Sequence, residues 1–191
     1  MKLKHIADIT MGHSFRSRLE RVEGGNLPVI QMKDLAEDNR LNTEGLVSLD
    51  MDDVKARQYV MENDIIFRSR GQTNTAVLIS EALGEAIVAA PLLQIRVHEG
   101  VLPAYLTWFI NLSSTQARLA SQAKGTAVRM ISKKALGEFE ITVPTLERQH
   151  SIVQLAKLGA EEQRLMAELV IKRKQYMERI LMQIASESQS A

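Results

Sequence analysis

The chain has 191 residues, 45% hydrophobic and 25% charged, with a formal net charge of +1 and no cysteine. That length holds one medium domain plus an appendage, and the missing cysteines exclude disulfides and thiolate metal sites. No apolar run approaches the roughly 18 residues of a membrane span, and the start, MKLKHIADITMG, lacks the apolar core and cleavage site of a signal peptide, so the expected location is the cytoplasm.

In chain order, Met1–Ile9 reads as a strand or short helix, and His13–Gly25 as a polar, basic loop carrying Arg16, Arg18 and Arg21. Leu27–Met32 (LPVIQM) is a β-rich apolar run and predicts a strand. Lys33–Asp53 is acidic and turn-rich, and Val54–Met61 has the pattern of a short helix. Asp64–Arg68 and Thr75–Ser80 predict two strands joined by a hairpin loop, Ser69–Asn74, that contains Gly71. Glu85–Ala90 and Leu92–Val97 are further strands separated by Pro91, and Leu102–Ala123 is one helix with Pro103 at a favoured early position. Lys124–Arg129 is a basic loop, Ser132 is the N-cap of a short helix over Ile131–Leu136, and Phe139–Val143 is a strand ending at Pro144. Short strands mixed with helices, rather than alternating βα units, predict an α+β fold.

After Pro144 no proline follows and the only glycine is Gly159. Strong helix formers dominate, so a single helix of roughly 60 Å is expected. Three segments result: a globular domain over 1–145, a long helix over 146–185 and a frayed tail over 186–191. Ile152, Leu155, Leu158, Leu165, Leu169, Tyr176, Ile180 and Ile184 form an apolar stripe of coiled-coil type, interrupted by Gly159, Glu162 and Lys172. A domain of about 145 residues is only about 25–30 Å across, so the stripe outruns it and predicts an interface with another helix, most simply in a homodimer.

Charge is segregated within this near-neutral chain. Residues 34–64 carry nine acids and three bases; between Glu99 and Glu138 there are five bases and no acid; between Asp64 and Glu81, Arg68 and Arg70 stand without an acid. Acid-free basic segments suit a phosphate-bearing partner. His5, His13, His98 and His150 are isolated and show no metal-ligand spacing, and no nucleophile elbow, P-loop or dinucleotide fingerprint occurs. A binding module is therefore expected rather than an enzyme, with no cofactor and no metal.

The segments LPVIQMKDL, YVMENDIIFRSRGQTNTAVLIS, LPAYLTWFINL and GTAVRMISKKALGEFEITVPTLERQHSIV, in that order, resemble the specificity subunit of type I restriction–modification systems. In that family a target-recognition domain ends in a glycine-containing loop, an Ile-Ser short helix, a strand running into proline, and a Glu-Gln start of a long helix. Gly125, Ile131, Ser132, Leu136, Ile141, Pro144, Glu147, Gln149 and Ile152 stand at the matching places. Asn63-Asp64-Ile65-Ile66 stands where Gly-Asp-Ile-Leu is common. Asn63 for glycine, Thr142 for a first proline, and Arg148 between Glu147 and Gln149 depart from the pattern.

The resemblance implies a half-subunit, with one recognition domain and one helix where the family usually has two of each. Two copies paired through the stripe, as antiparallel helices, would read two separated half-sites in double-stranded DNA. Methylation would belong to a partner methyltransferase (modification) subunit, which binds S-adenosylmethionine, and cleavage to a restriction subunit. The expected base readers are Arg68, Arg70, Gln72, Asn74 and Arg129, with Arg16, Arg18, Lys124, Lys133 and Lys134 on phosphates. The alternative is an interaction protein that docks a methyltransferase-type partner through the helix and never touches DNA.

Overall fold

The computed structural model describes residues 1–187 apart from positions 21, 37, 52–53, 72 and 123–129. The chain divides into two compact units, Met1–His150 and Ser151–Ala191.

In the first unit a 3-10 turn at Leu3–His5 leads into β1 (Ala7–Met11), followed by β2 (Leu27–Ile30), β3 (Val47–Leu49), β4 (Ile65–Phe67), β5 (Ala76–Leu78), β6 (Ile87–Val88) and β7 (Leu93–Val97). Then come α1 (Pro103–Asn111), α2 (Ser113–Gln122) and α3 (Lys133–Gly137). The last helix, α4 (Leu146–Glu187), starts in this unit and continues through the second. An antiparallel sheet has the order β1-β7-β4-β5, and a smaller sheet has the order β3-β2-β6, with β2 antiparallel to β3 and parallel to β6. The fold is α+β, as the sequence predicts.

Strand β4 shows why its sequence reads as unbroken apolar rather than alternating. Ile65 and Phe67 enter one core with Leu93, Ile95, Leu106, Ile110 and Phe139, while Ile66 enters a second with Ile30, Val77, Val88 and Leu92. Successive side chains point to opposite faces of a strand, so a sheet buried on both faces requires apolar residues at every position. A third cluster lies on the smaller sheet around Leu27, Val29 and Ile87, packed by Phe15 and Leu19. The two sheets close on each other at Gly12, whose amide donates to the Leu92 carbonyl at 2.9 Å. A Cβ there would lie 2.6 Å from the Ala89 carbonyl carbon, so only glycine fits.

Four sequence expectations are corrected. Val54–Met61 is not a helix: only Ala56–Gln58 makes a 3-10 turn, because Tyr59 bridges Ile87 and the Val60 amide donates to Ala86 O at 2.8 Å. Pairing to the small sheet takes those backbone groups away from a helix. The helix expected over 102–123 is two helices, since Leu112 between them is extended at ψ 136°. Phe139–Val143 is no strand; it pairs locally with the chain start, Leu3 N–H donating to Phe139 O at 2.9 Å and Ile141 N–H to Met1 O at 2.7 Å. Finally, the acidic stretch contains β3, which pairs with β2 through Leu49–Leu27 and Val47–Val29.

Candidate nucleic-acid interface

The loop between β4 and β5 is bound at its base and open at its tip. On one side, Arg68 turns inward and its guanidinium donates to Met32 O at 3.3 Å and Leu35 O at 2.6 Å. The Ser69 hydroxyl donates to Pro91 O, and Ser69 O accepts from Ile131 N at 2.8 Å. On the other side, Asn74 is buried and its side-chain amide donates to Arg68 O at 3.0 Å. Gln116 then clamps the Asn74 backbone twice, accepting from its N–H at 3.1 Å and donating to its carbonyl at 2.9 Å. Asn111 does the same for Ala76, at 2.9 and 2.8 Å. These two side-chain amides act as a neighbouring strand would along the outer edge of β5, the last strand of the larger sheet. Presenting them requires the break at Leu112.

Arg70 and Thr73 remain exposed at the tip, and Gly71 sits between them at φ 132°, a conformation side chains rarely adopt. Arg68 and Asn74, expected to read bases, instead brace the loop: Arg68 donates through one terminal nitrogen to two backbone carbonyls, its Nε remaining buried without a partner among the described residues, and the Asn74 amide donates to the Arg68 carbonyl. Polar composition signalled a polar loop, but not which of its polar groups face inward. Gln72, Lys124 and Arg129 lie outside the described residues, as does Gly125.

The remaining expected cations sit in two places. Arg16 and Arg18 are exposed on the loop after β1, and Arg18 lines a groove of about 430 Å³ with Phe15, Gln31, Lys33 and Pro91. Since Pro91 O accepts from Ser69, this groove adjoins the base of the β4–β5 loop. Lys133 and Lys134 are exposed at the start of α3, whose N-terminus Ser132 caps by accepting from Ala135 N at 3.1 Å. Lys133 borders another groove, about 290 Å³, with Asp8, Arg57, Gln94 and Arg96. The two grooves share no lining residue. Lys33 and Arg57 are cations that the sequence reading passed over, because each lies in the acidic third of the domain.

Two residues flagged by family pattern hold the scaffold. Asp64 is buried and accepts from Arg96 at 2.8 and 2.7 Å, from Gln94 at 2.7 Å and from Met61 N at 2.7 Å. Its hydrogen bond to Arg96 raises the guanidinium pKa further above its ordinary value. Asn63 precedes it at φ 71°, which explains why glycine is common there and asparagine is tolerated. Gln149, fully buried, accepts from Leu102 N at 2.8 Å and donates to Gly100 O at 3.0 Å and Pro144 O at 2.8 Å. It fastens the first turns of α4 to the approach of α1. No cluster of metal-ligating side chains occurs among the described residues, and no described helix is long and apolar enough to cross a membrane.

In the second unit, Leu155, Leu158, Leu165, Leu169, Tyr176 and Ile184 are exposed, Leu155 at 69% and Leu169 at 66%, while Ile152 and Ile180 are intermediate. These side chains leave a run of apolar area solvated along one helix.

Residues 1–165 match the family described as type I restriction modification DNA specificity domain, and the chain belongs to that family. Three solved structures share the fold. One is a chain from work on complex assembly and conformational transition of the type I R-M system, with TM-score 0.67 and 22% identity over 87% of this chain and 40% of that one. The HsdS subunit from Thermoanaerobacter tengcongensis gives 0.59 and 20% over 87% of this chain and 37% of its own length. The type I restriction-modification S subunit from M. genitalium gives 0.57 and 17% over 91% and 42%. The chain thus spans about two fifths of the length of each. No curated protein matches the chain.

Proposed function

We propose that the chain is the DNA-reading component of a type I restriction–modification assembly, acting as a half-subunit that directs a separate methyltransferase subunit and, where present, a restriction subunit. The observation that carries this reading is the β4–β5 loop: a tip with Arg70 exposed, on a base held by five side chains. Preorganised presentation of an arginine suits bidentate readout of guanine in the major groove. Gln72 and Arg129 are further candidate readers. Arg16, Arg18, Lys124, Lys133 and Lys134, joined by Lys33 and Arg57, are candidate phosphate contacts that set register without reading sequence. Dimerisation through α4 then presents two such domains to a bipartite target. The chain supplies recognition only; methyl transfer and cleavage fall to its partners.

Binding to random and selected duplexes, with and without a co-expressed modification subunit, tests the reading. Arg70→Ala is expected to relax discrimination at one base pair by about 1–3 kcal/mol with little change in salt slope. Lys133→Ala with Lys134→Ala is expected to weaken all sequences alike and lower the slope by roughly 2. Leu169→Arg is expected to weaken the dimer in sedimentation. No binding to any duplex, alone or with the partner, overturns the proposal.

A further inference from the structure

We propose that two copies of α4 pair antiparallel about a two-fold axis at the Ala167–Glu168 peptide bond. The proposal rests on the dimer suggested above and adds which residues meet. In heptad terms, Leu155, Glu162, Leu169 and Tyr176 form one row along the helix, and Gly159, Met166, Arg173 and Ile180 a second, with Leu158 and Leu165 of the stripe flanking this seam. Each row carries one charged residue that is wrong for a helix seam. Elsewhere on the helix Arg164 pairs with Glu161 and Glu168, Lys172 with Glu168, and Lys174 with Glu178. Glu162 and Arg173 form no ion pair among the described residues.

In an antiparallel pair the first row of one helix faces the second row of the other. With the axis at 167–168, Glu162 of each copy meets Arg173 of the other, so both odd charges are matched at once. The same register sets Tyr176 against Gly159, where nothing lies within 4 Å of a Cβ position and a ring has room. Leu155 faces Ile180, and Met166 faces Leu169. Sliding one heptad either way sets Glu162 against Ile180 or Met166, and Arg173 against Leu169 or Leu155. Each slide leaves charges against apolar side chains at the seam. A parallel pair opposes Glu162 to Glu162 and Arg173 to Arg173. Within this seam the two charges that form no ion pair among the described residues favour this direction and register, whereas Lys172, on the neighbouring face, is already paired with Glu168. At 1.5 Å per residue, the two Ser151 positions then stand about 50 Å apart along the pair, a fixed separation of the kind a bipartite target needs.

The chain has no cysteine, so introduced ones report cleanly. Leu155→Cys and Ile180→Cys chains, each oxidised alone, are expected to stay uncrosslinked and to join only when mixed, through a disulfide between positions 155 and 180. Glu162→Arg and Arg173→Glu are each expected to weaken self-association about tenfold or more, and their mixture to regain parental affinity as a heterodimer. Crosslinking of either cysteine variant alone, or a sedimenting dimer whose mixture does not crosslink, overturns the register while leaving the dimer intact. A full-length parental chain that sediments as a monomer overturns the dimer reading and the register with it.

Discussion

The two units of the chain dispose of their polar and apolar groups in opposite ways. In the first unit several polar side chains go inside and are well partnered: Asp64 with four donors, Gln149 with three bonds, Asn74 on the Arg68 carbonyl and Gln116 on the Asn74 backbone. In the second unit apolar side chains stay outside, and Leu158, Met182 and Leu155 are each more than 60% exposed. The first unit is thus finished as a structure and offers only a few side chains to a partner. The second leaves most of its large apolar side chains to solvent. Buried polar networks fix shape, while exposed apolar stripes invite association.

That contrast can be broken in descending steps. Asp64→Ala removes the carboxylate from Arg96 and Gln94, leaving both only the Tyr59 carbonyl, and is expected to destabilise the first unit by about 3 kcal/mol in urea melts. A loss under about 1 kcal/mol would mean the network is ornamental. Gln149→Ala orphans the Leu102 amide and the carbonyls of Gly100 and Pro144. A cost of about 2–3 kcal/mol is expected, with helical circular dichroism from the second unit retained below the transition. Gln116→Ala removes the clamp on Asn74 and is expected to cost about 1–2 kcal/mol. It should also blur base discrimination beyond what Arg70→Ala produces, which separates a positioning role from a merely structural one.

The smallest effect concerns pH. Glu138 bridges Lys2 and Lys4 at 2.7 and 2.5 Å, and the hydrogen bond from Lys2, with that from Lys4, lowers its pKa from 4.5 to about 2. A carboxylate held below its unfolded value stabilises the fold above that value, and the contribution fades as pH falls from about 4.5 toward 2. Glu138→Gln is expected to flatten the stability profile slightly in that window and nowhere else, as read by thermal melts at stepped pH. The group is solvent-exposed, so a large change would be the surprise.

What was legible in the sequence followed from local causes. α4 was visible because proline is absent and helix formers are continuous. β4 and β5 were visible as apolar runs flanking a glycine-bearing turn. The break between α1 and α2 was not, because nothing near Leu112 forbids a helix. Its cause is the edge of β5, reached by Asn111 and Gln116 across a separation of 35 and 42 residues. Asn74 was taken for a surface reader for the same reason: the residue that buries its backbone is far away in the chain. Family pattern located Asp64 and Gln149 but not their tasks, which only their partners reveal. The charge pattern drew attention to Arg70, Arg16 and Arg18 but not to Lys33 and Arg57, which line grooves, since averaging over an acidic stretch erases single cations.

The side chains that hold the β4–β5 loop all lie outside its tip: Arg68 and Ser69 before it, Asn74 after it, Asn111 and Gln116 from the helices, while the backbone of Arg70 bridges Met130. The tip is thereby an interchangeable cassette. Randomising Arg70 and Thr73 with Gly71 retained is expected to leave those side-chain anchors in place. On the proposed readout, new target preferences would arise from changes at the tip, without the scaffold having to be rediscovered each time.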